Sequence, residues 1–316
     1  MWFKQTQIFQ LSTPVAYDCE KLAAQLAPLA FTSCLPSFPS SHGWISAIDE
    51  EDAPLVHGTY GYMMICLQFE EKILPTTVIR QELDQKIKEI EANRERKVYQ
   101  KEKYALKDEI ILTLLPRAFS KFSRIHAYFD TKNNWLIIDT VNAAKTEKFL
   151  EQFKKSFTGI NLQPIETEKL GPILSRWLIN NDYPKEFAVE KACVLRDPNQ
   201  QSRVIRCQQQ NLFASSIQAL IKDGCEVQQL ALTWQDRVNF VLLDSLLLQS
   251  IKFNDEIIEQ TKQMEPETKQ QQFAADFLIM AETISALLKD LLPLFHKAPK
   301  KETPKITTTT SEESYA

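Results

Sequence analysis

The hydrophobic pattern changes period several times along the chain, and each change marks an element. "WFKQTQIFQL" has strand composition, and "DCEKLAAQLAPLAF" repeats its apolar residues at helical spacing behind Asp18, a good N-cap. "TSCLPSFPSSHGW" reads as a Pro/Ser-rich loop and "GYMMICLQFEEKIL" as a strand with a charged end. Beyond Pro75, "TTVIRQELDQKIKEIEANRERKVYQKEKYALKDEIILTLL" is a long helical stretch. Ile79, Leu83, Ile87 and Ile90 form one stripe there, and apolar content then thins through 91–103. So polar a helix bridges solvent or pairs with another helix or subunit, and two helices joined near 100–106 fit the same pattern.

"LLPRAFSKFSR" (114–124) places cations and phenylalanines in one short run. With Pro116 at the first helical position, Arg117, Lys121 and Arg124 share a narrow face, and Leu115, Phe119 and Phe122 lie roughly opposite. The segment then offers a cationic stripe to something acidic while an aromatic edge holds it against protein.

"RIHAYFDTKNNWLIIDT" reads as a hairpin turning at Asn133-Asn134, followed by an amphipathic helix, "AAKTEKFLEQFKKSF". "GPILSRWLIN" and "FASSIQALIKDG" are helical, the second closed by Gly224. "QLALTWQDRVNFVLLDSLLLQSIKF" alternates Leu230, Leu232, Trp234 and Val238, Phe240, Leu242 on one face, with a turn at Asp244-Ser245. Residues 254–296 are helical, and the tail "KAPKKETPKITTTTSEESYA" is low-complexity and expected to be disordered. Strands, helices and strands again, without βαβ alternation, predict an α+β fold of antiparallel sheets with long helices. The expected organisation is a central sheet region (1–75, 114–170 and 228–296), a helical region (76–113), a smaller mixed tip (171–227) and the tail (297–316).

Composition adds little until charge is mapped. The 316 residues are 44% apolar and 25% charged, as in ordinary globular proteins. The best membrane candidate, "FAADFLIMAETISALLKDLLPLF", is broken by Asp276, Glu282, Lys289 and Asp290. With no signal-peptide pattern at the N-terminus, the expected compartment is the cytoplasm. Cys19, Cys34, Cys66, Cys193, Cys207 and Cys225 are scattered without metal-ligand spacing and read as reduced thiols. Net charge is −4, but Lys72–Lys132 carries 14 basic and nine acidic residues, or +5, leaving −9 elsewhere. A local positive region on an acidic body is a footprint for a polyanion.

Catalytic and cofactor motifs are scarce. Six glycines form no phosphate-binding loop, there is no H-E-x-x-H or G-x-S-x-G, and no cofactor is expected. Asp52, Glu70 and Lys72 mimic the D…E-x-K arrangement of Mg²⁺-dependent nucleases. E-x-K arises often by chance in a chain this charged and Asp52 lies in an acidic loop, so a strand end with solvated charges explains them better. No helix-turn-helix, zinc finger or RRM signature is present, so base-specific readout has no candidate. What remains is phosphate contact by Lys and Arg, independent of sequence and dependent on salt.

"WFK", "EEKILPTTVIRQELDQKIKEIE", "LKDEIILTLLPRAFSKFSR", "LALTWQDRVNFVLLD" with "IKF", and "FAADFLIMAETISALL" together resemble the RdgC family of recombination-associated proteins. The resemblance covers the chain except its tail. It implies a bacterial, cytoplasmic, nucleoid-associated protein that is not an enzyme. Such a protein binds duplex DNA with little sequence specificity, binds single-stranded DNA less favourably, and restrains the RecA recombinase. It also implies a homodimeric ring with a positively lined hole. The family's Pro-Arg-Ala-Phe motif is present as Pro116, Arg117, Ala118 and Phe119, which implies that Phe119 lies at the contact closing the ring. Ile79, Leu83 and Ile87 of the helical region are then further dimer contacts. Lys72, Arg80, Arg117, Lys121 and Arg124 are the expected DNA contacts. After "VIR" the resemblance leads one to expect lysines, but this chain has Gln208, Gln209 and Gln210. Gln209 and Gln210 can hydrogen-bond phosphate but release no counterions. Two rivals stand: the nuclease of Asp52, Glu70 and Lys72, and a protein-only adaptor working through the 76–113 helices.

Overall fold

The longest strands, β4 (Tyr62–Lys72) and β5 (Ser120–Asp130), pair antiparallel from Tyr62 opposite Asp130 to Lys72 opposite Ser120. They form the middle of a seven-stranded sheet. Its other strands are β1 (Gln7–Leu11), β2 (Ser40–Ile45), β3 (His57–Thr59), β6 (Trp135–Ile138) and β7 (Leu162–Pro164). The order is β2-β4-β5-β6-β1-β7, with β3 also on β4. A second sheet, β12-β11-β10-β8-β9, is built from β8 (Phe187–Arg196), β9 (Val204–Gln208), β10 (Glu226–Trp234), β11 (Val238–Leu243) and β12 (Leu248–Phe253). Every strand pairing in both sheets is antiparallel. This computed structural model describes residues 1–14, 18–50, 52–200 and 202–296. The tail expected to be disordered lies outside the described residues.

The helices are α1 (Cys19–Leu26), α2 (Thr76–Arg94), α3 (Gln100–Leu114), α4 (Ala143–Ser156), α5 (Leu170–Asn180), α6 (Ser215–Lys222), α7 (Asp255–Lys262) and α8 (Lys269–Leu291). One face of the first sheet presents Met63, Ile65, Leu67, Ile125, Ala127 and Phe129 to Leu22 and Leu26 of α1 and Phe149 and Phe153 of α4. The other presents Tyr62, Met64, Tyr128 and Ile137 to α8, whose Phe277, Met280, Ile284 and Leu288 also meet the second sheet and α5. Both faces of β4 are therefore covered, and its sequence is correspondingly a run of apolar residues from Tyr62 to Leu67.

Local chemistry explains the turns. The Asp18 side chain accepts from the Lys21 amide at 2.8 Å and caps α1. Asn134 at φ 55° makes the predicted turn between β5 and β6. Asp130, fully buried, accepts from the Asn133 amide at 3.1 Å and from Ser285 at 2.5 Å, joining that turn to α8. Gln235 and Asp236, at φ 47° and 53°, turn β10 into β11. The expected face of Leu230, Leu232, Trp234, Val238, Phe240 and Leu242 is buried throughout. Gly224, at φ 99°, follows α6 as expected.

Three readings are corrected. The end of the expected Pro/Ser-rich loop is strand β2, paired with β4 from Ser40 opposite Glu71. The segment 114–124 is not a helix: Leu115–Arg117 is a 3₁₀ turn with Pro116 near its start, and β5 begins at Ser120. Eleven residue pairs with β4 decide the matter against local helical spacing. Lys121 and Arg124, three apart in a strand, point to opposite faces, so no cationic stripe forms. The helical region is indeed two helices, but they join at residues 95–99, where Glu95 adopts φ 49°, rather than near 100–106.

Candidate nucleic-acid and subunit interface

β4 and β5 are neighbours in the sheet, yet the chain between them is the whole α2–α3 hairpin. The hairpin leaves the sheet where Lys72 and Ser120 are paired. At about 1.5 Å per residue, the 19 residues of α2 reach about 28 Å from that end. Ile79 is buried, and Leu83, Ile87 and Ile90 are half-buried, on the face where α2 packs along α3. Lys86 and Glu109 pair across the two helices at 2.8 Å. The three residues expected at a dimer interface are thus already partly engaged by their own hairpin. Its outer surface still exposes Val78, Tyr104 and Leu112.

At the hairpin's base lies an apolar corner. Phe119 is 84% exposed, and Phe122, Ile73, Leu35 and Phe38 are each about half exposed or more. Backbone and ring contacts knit these residues together. The Ile73 amide donates to the Phe119 carbonyl at 2.8 Å, and the Lys72 amide donates to Pro39 at 2.8 Å. Phe31 meets Phe122 edge-on with centroids 6.5 Å apart. Phe119 is therefore held outward on a fixed backbone, with no ring contact of its own among the described residues.

Glu70 braces this corner from below. Its Oε2 accepts the Cys34 amide at 2.7 Å and its Oε1 the Ser120 hydroxyl at 2.5 Å. Those two bonds, the hydroxyl first, hold its carboxyl below the usual carboxylate range. Both oxygens are thus in use. Asp52 is exposed, and the Lys72 charge adds only the last and smallest pull on the Glu70 carboxyl. Among the described residues no three His, Cys, Asp or Glu side chains are grouped to hold a metal ion.

The expected cations divide by what they touch. Arg117 and Lys121 are exposed and Lys72 half-exposed, and none of the three has an ion-pair partner within 4 Å among the described residues. Glu71, the cross-strand neighbour of Lys121, pairs with Lys148 at 3.3 Å instead. Arg80 lies 3.9 Å from Asp84, one turn further along α2. Arg124 is held by Asp49 at 2.5 Å and by Gln68 at 3.1 Å. Next to it, burial foremost and then the Arg124 charge push the His126 imidazole down to about 4.

Gln209 and Gln210 stand elsewhere. They follow β9, the edge of the second sheet, with Gln209 at φ 52° and the Gln210 amide donating to Lys191 at 3.2 Å. The opposite edge, β12, joins the first sheet through Thr6 and Leu248. At about 4.8 Å per strand, the glutamine loop is about 19 Å across the sheet from that junction. Lys191 and Arg206 beside it are exposed and without an ion pair among the described residues. Sequence reasoning noted the glutamines but passed over these two cations, whose strand neighbours place them next to the loop. It also missed Leu35, Phe38 and Ile73, whose exposure depends on where the loop and strand end meet.

The class defined by these features is a mixed α and β protein of antiparallel sheets, with a projecting helical hairpin and an uncovered aromatic corner flanked by free cations. The family model described as "Putative exonuclease, RdgC" matches residues 1–298. Three relatives carry the name recombination-associated protein RdgC. That of Halorhodospira halophila is 37% identical over 303 residues, 95% of this chain and 100% of its own. Those of Yersinia enterocolitica and Serratia proteamaculans are 36% and 35% identical over 295 residues, each covering 92% of this chain and 97% of its own. The chain belongs to the RdgC family. Among the described residues, no helix is long and apolar enough to cross a membrane.

Proposed function

We propose that this chain is a non-enzymatic, nucleoid-associated cytoplasmic protein. In this reading it binds duplex DNA without sequence specificity, and single-stranded DNA less well, as a homodimeric ring, and thereby limits access of the RecA recombinase. The observation that carries the reading is the corner at the hairpin base. A phenylalanine 84% exposed on a fixed backbone calls for a protein surface to cover it. Arg117, Lys121 and Lys72 beside it lack acidic partners and suit phosphate oxygens. In a two-fold dimer the corner of one subunit meets its partner, and cations from both copies converge on the DNA. Lys191, Arg206, Gln209 and Gln210 supply a second contact zone on the same chain.

A salt series tests this. On duplexes of unrelated sequence, log K should fall linearly with log[salt], with a slope of about −0.9 per phosphate contacted. A flat response, or affinity confined to one sequence, overturns the reading. The same samples with Mg²⁺ address the exonuclease named in the family description. Intact DNA after prolonged incubation supports binding alone, whereas end-directed shortening lost in Glu70→Gln establishes the nuclease. Absence of any DNA complex at low salt favours the protein-only adaptor built on α2 and α3.

A further inference from the structure

Cys193 of β8 and Cys207 of β9 are direct cross-strand partners. Facing residues of an antiparallel pair project to the same side, with Cα atoms about 4.5–5.5 Å apart. That separation falls inside the span of about 4.4–6.8 Å that a disulfide bridges. Both side chains enter the core beneath the second sheet, 3% and 5% exposed. Cys66, by contrast, is opposite His126. Nothing in the proposed DNA contacts uses either thiol.

We propose that Cys193 and Cys207 are an oxidant-sensitive dithiol that closes to a cross-strand disulfide, locking β9 and the Gln209–Gln210 loop behind it. β9 is the edge of its sheet, bonded on one side only and five residues long, so it opens more readily than the strands inside. Burial, and then the neighbouring Cys207, hold the Cys193 thiol well above the ordinary thiol range in the closed strand pair, where it is inert. Oxidation therefore proceeds through the opening of β9, which brings Cys207 to solvent first.

With hydrogen peroxide as oxidant, the Cys207 thiolate attacks one peroxide oxygen and the O–O bond breaks. The product is a sulfenic acid, and the departing hydroxide takes the Cys207 proton to become water. The Cys193 thiolate then attacks the sulfenic sulfur and expels its hydroxyl, which leaves with the Cys193 proton as a second water. Two thiols are oxidised to one disulfide and one peroxide is reduced to two waters. The bond closes the loop between β8 and β9 and restricts strand opening.

The test uses the full chain, reduced and then treated with hydrogen peroxide under native conditions. Free thiols are alkylated after unfolding and the peptides mapped by mass spectrometry. The proposal expects a linked Cys193–Cys207 peptide, two hydrogens lighter than the reduced pair, with Cys66 still alkylated. Amide exchange across Val204–Gln208 should be slower in the oxidised protein. In Cys193→Ser, Cys207 should stop at the sulfenic or sulfinic acid. Recovery of both cysteines as alkylated thiols, or bonding of Cys207 to Cys225 instead, overturns the proposal. The mapping on unsubstituted protein stands by itself should the variant not fold, and it reads sulfur chemistry whatever the chain binds.

Discussion

Phe119→Ala separates association from folding, because Phe119 contributes almost nothing to the isolated chain. Its ring is 84% exposed, so its burial is left for a partner. Burying a phenylalanine side chain is worth about 1.5–3 kcal/mol, and in the proposed two-fold dimer the contact occurs twice. The dimer then loses about 3–6 kcal/mol, which is about two to four decades in its dissociation constant. The monomer should change by no more than about 0.5 kcal/mol, as for other surface substitutions. Sedimentation equilibrium across a concentration series reads the first quantity and urea unfolding the second. Leu115→Ala, four residues away but 2% exposed, is the contrasting variant: it should lose about 2–5 kcal/mol of folding stability. An unchanged dimer constant in Phe119→Ala, or a loss of folding stability comparable to that of Leu115→Ala, refutes the reasoning.

Removal of single cations should sort by their partners. Arg117→Ala and Lys121→Ala should each reduce the salt slope of DNA binding by about 0.9. Arg124→Ala should reduce it less, because Asp49 already occupies its guanidinium; equal slope changes across all three would contradict the division. Acid stability should depend on His126, whose folded pKa of about 4 lies below the ordinary 6.5. As pH falls below 6.5 the unfolded chain takes up a proton that the folded chain refuses until about 4, so stability declines through that window. His126→Gln should remove about 1.6 kcal/mol of the loss between pH 6.5 and 5, read from urea midpoints at the two pH values. Asp139, raised to about 6 by burial, acts in the opposite sense. Between its ordinary 3.8 and about 6 the unfolded carboxyl ionises first, so stability falls as pH rises, and Asp139→Asn should abolish that opposing slope.

What could be read from the sequence was periodic, and what could not was paired at long range. α4, α5, α6 and the β10–β11 hairpin follow their own apolar spacing, and all appear near where that spacing puts them. β2 was hidden in a Pro/Ser-rich loop because "SSHGW" has no alternation; it is a strand because the edge of β4 needs its peptide groups bonded. The start of β5 was hidden for the same reason, since its register is set by Lys72 opposite Ser120 and not by anything between Ala118 and Arg124. At the site, the clustering of positive charge from Lys72 to Lys132 was legible, but which cations are free was not. Arg124 is quenched by Asp49, 75 positions earlier, while Lys121 is left open because Lys148 takes Glu71. Glu70, two residues before Lys72 in a nuclease-like pattern, is drawn instead into bracing the loop at Cys34 and the start of β5.

The central claim is enclosure of DNA by two copies of this chain, and topology tests it most directly. Full-length protein loaded at low salt onto covalently closed circular duplex, and onto the same duplex cut once, should be challenged with a step to high salt. The account predicts that protein persists on the circle and escapes from the linear form through its ends. Equal release from both would show a surface-bound protein and contradict enclosure.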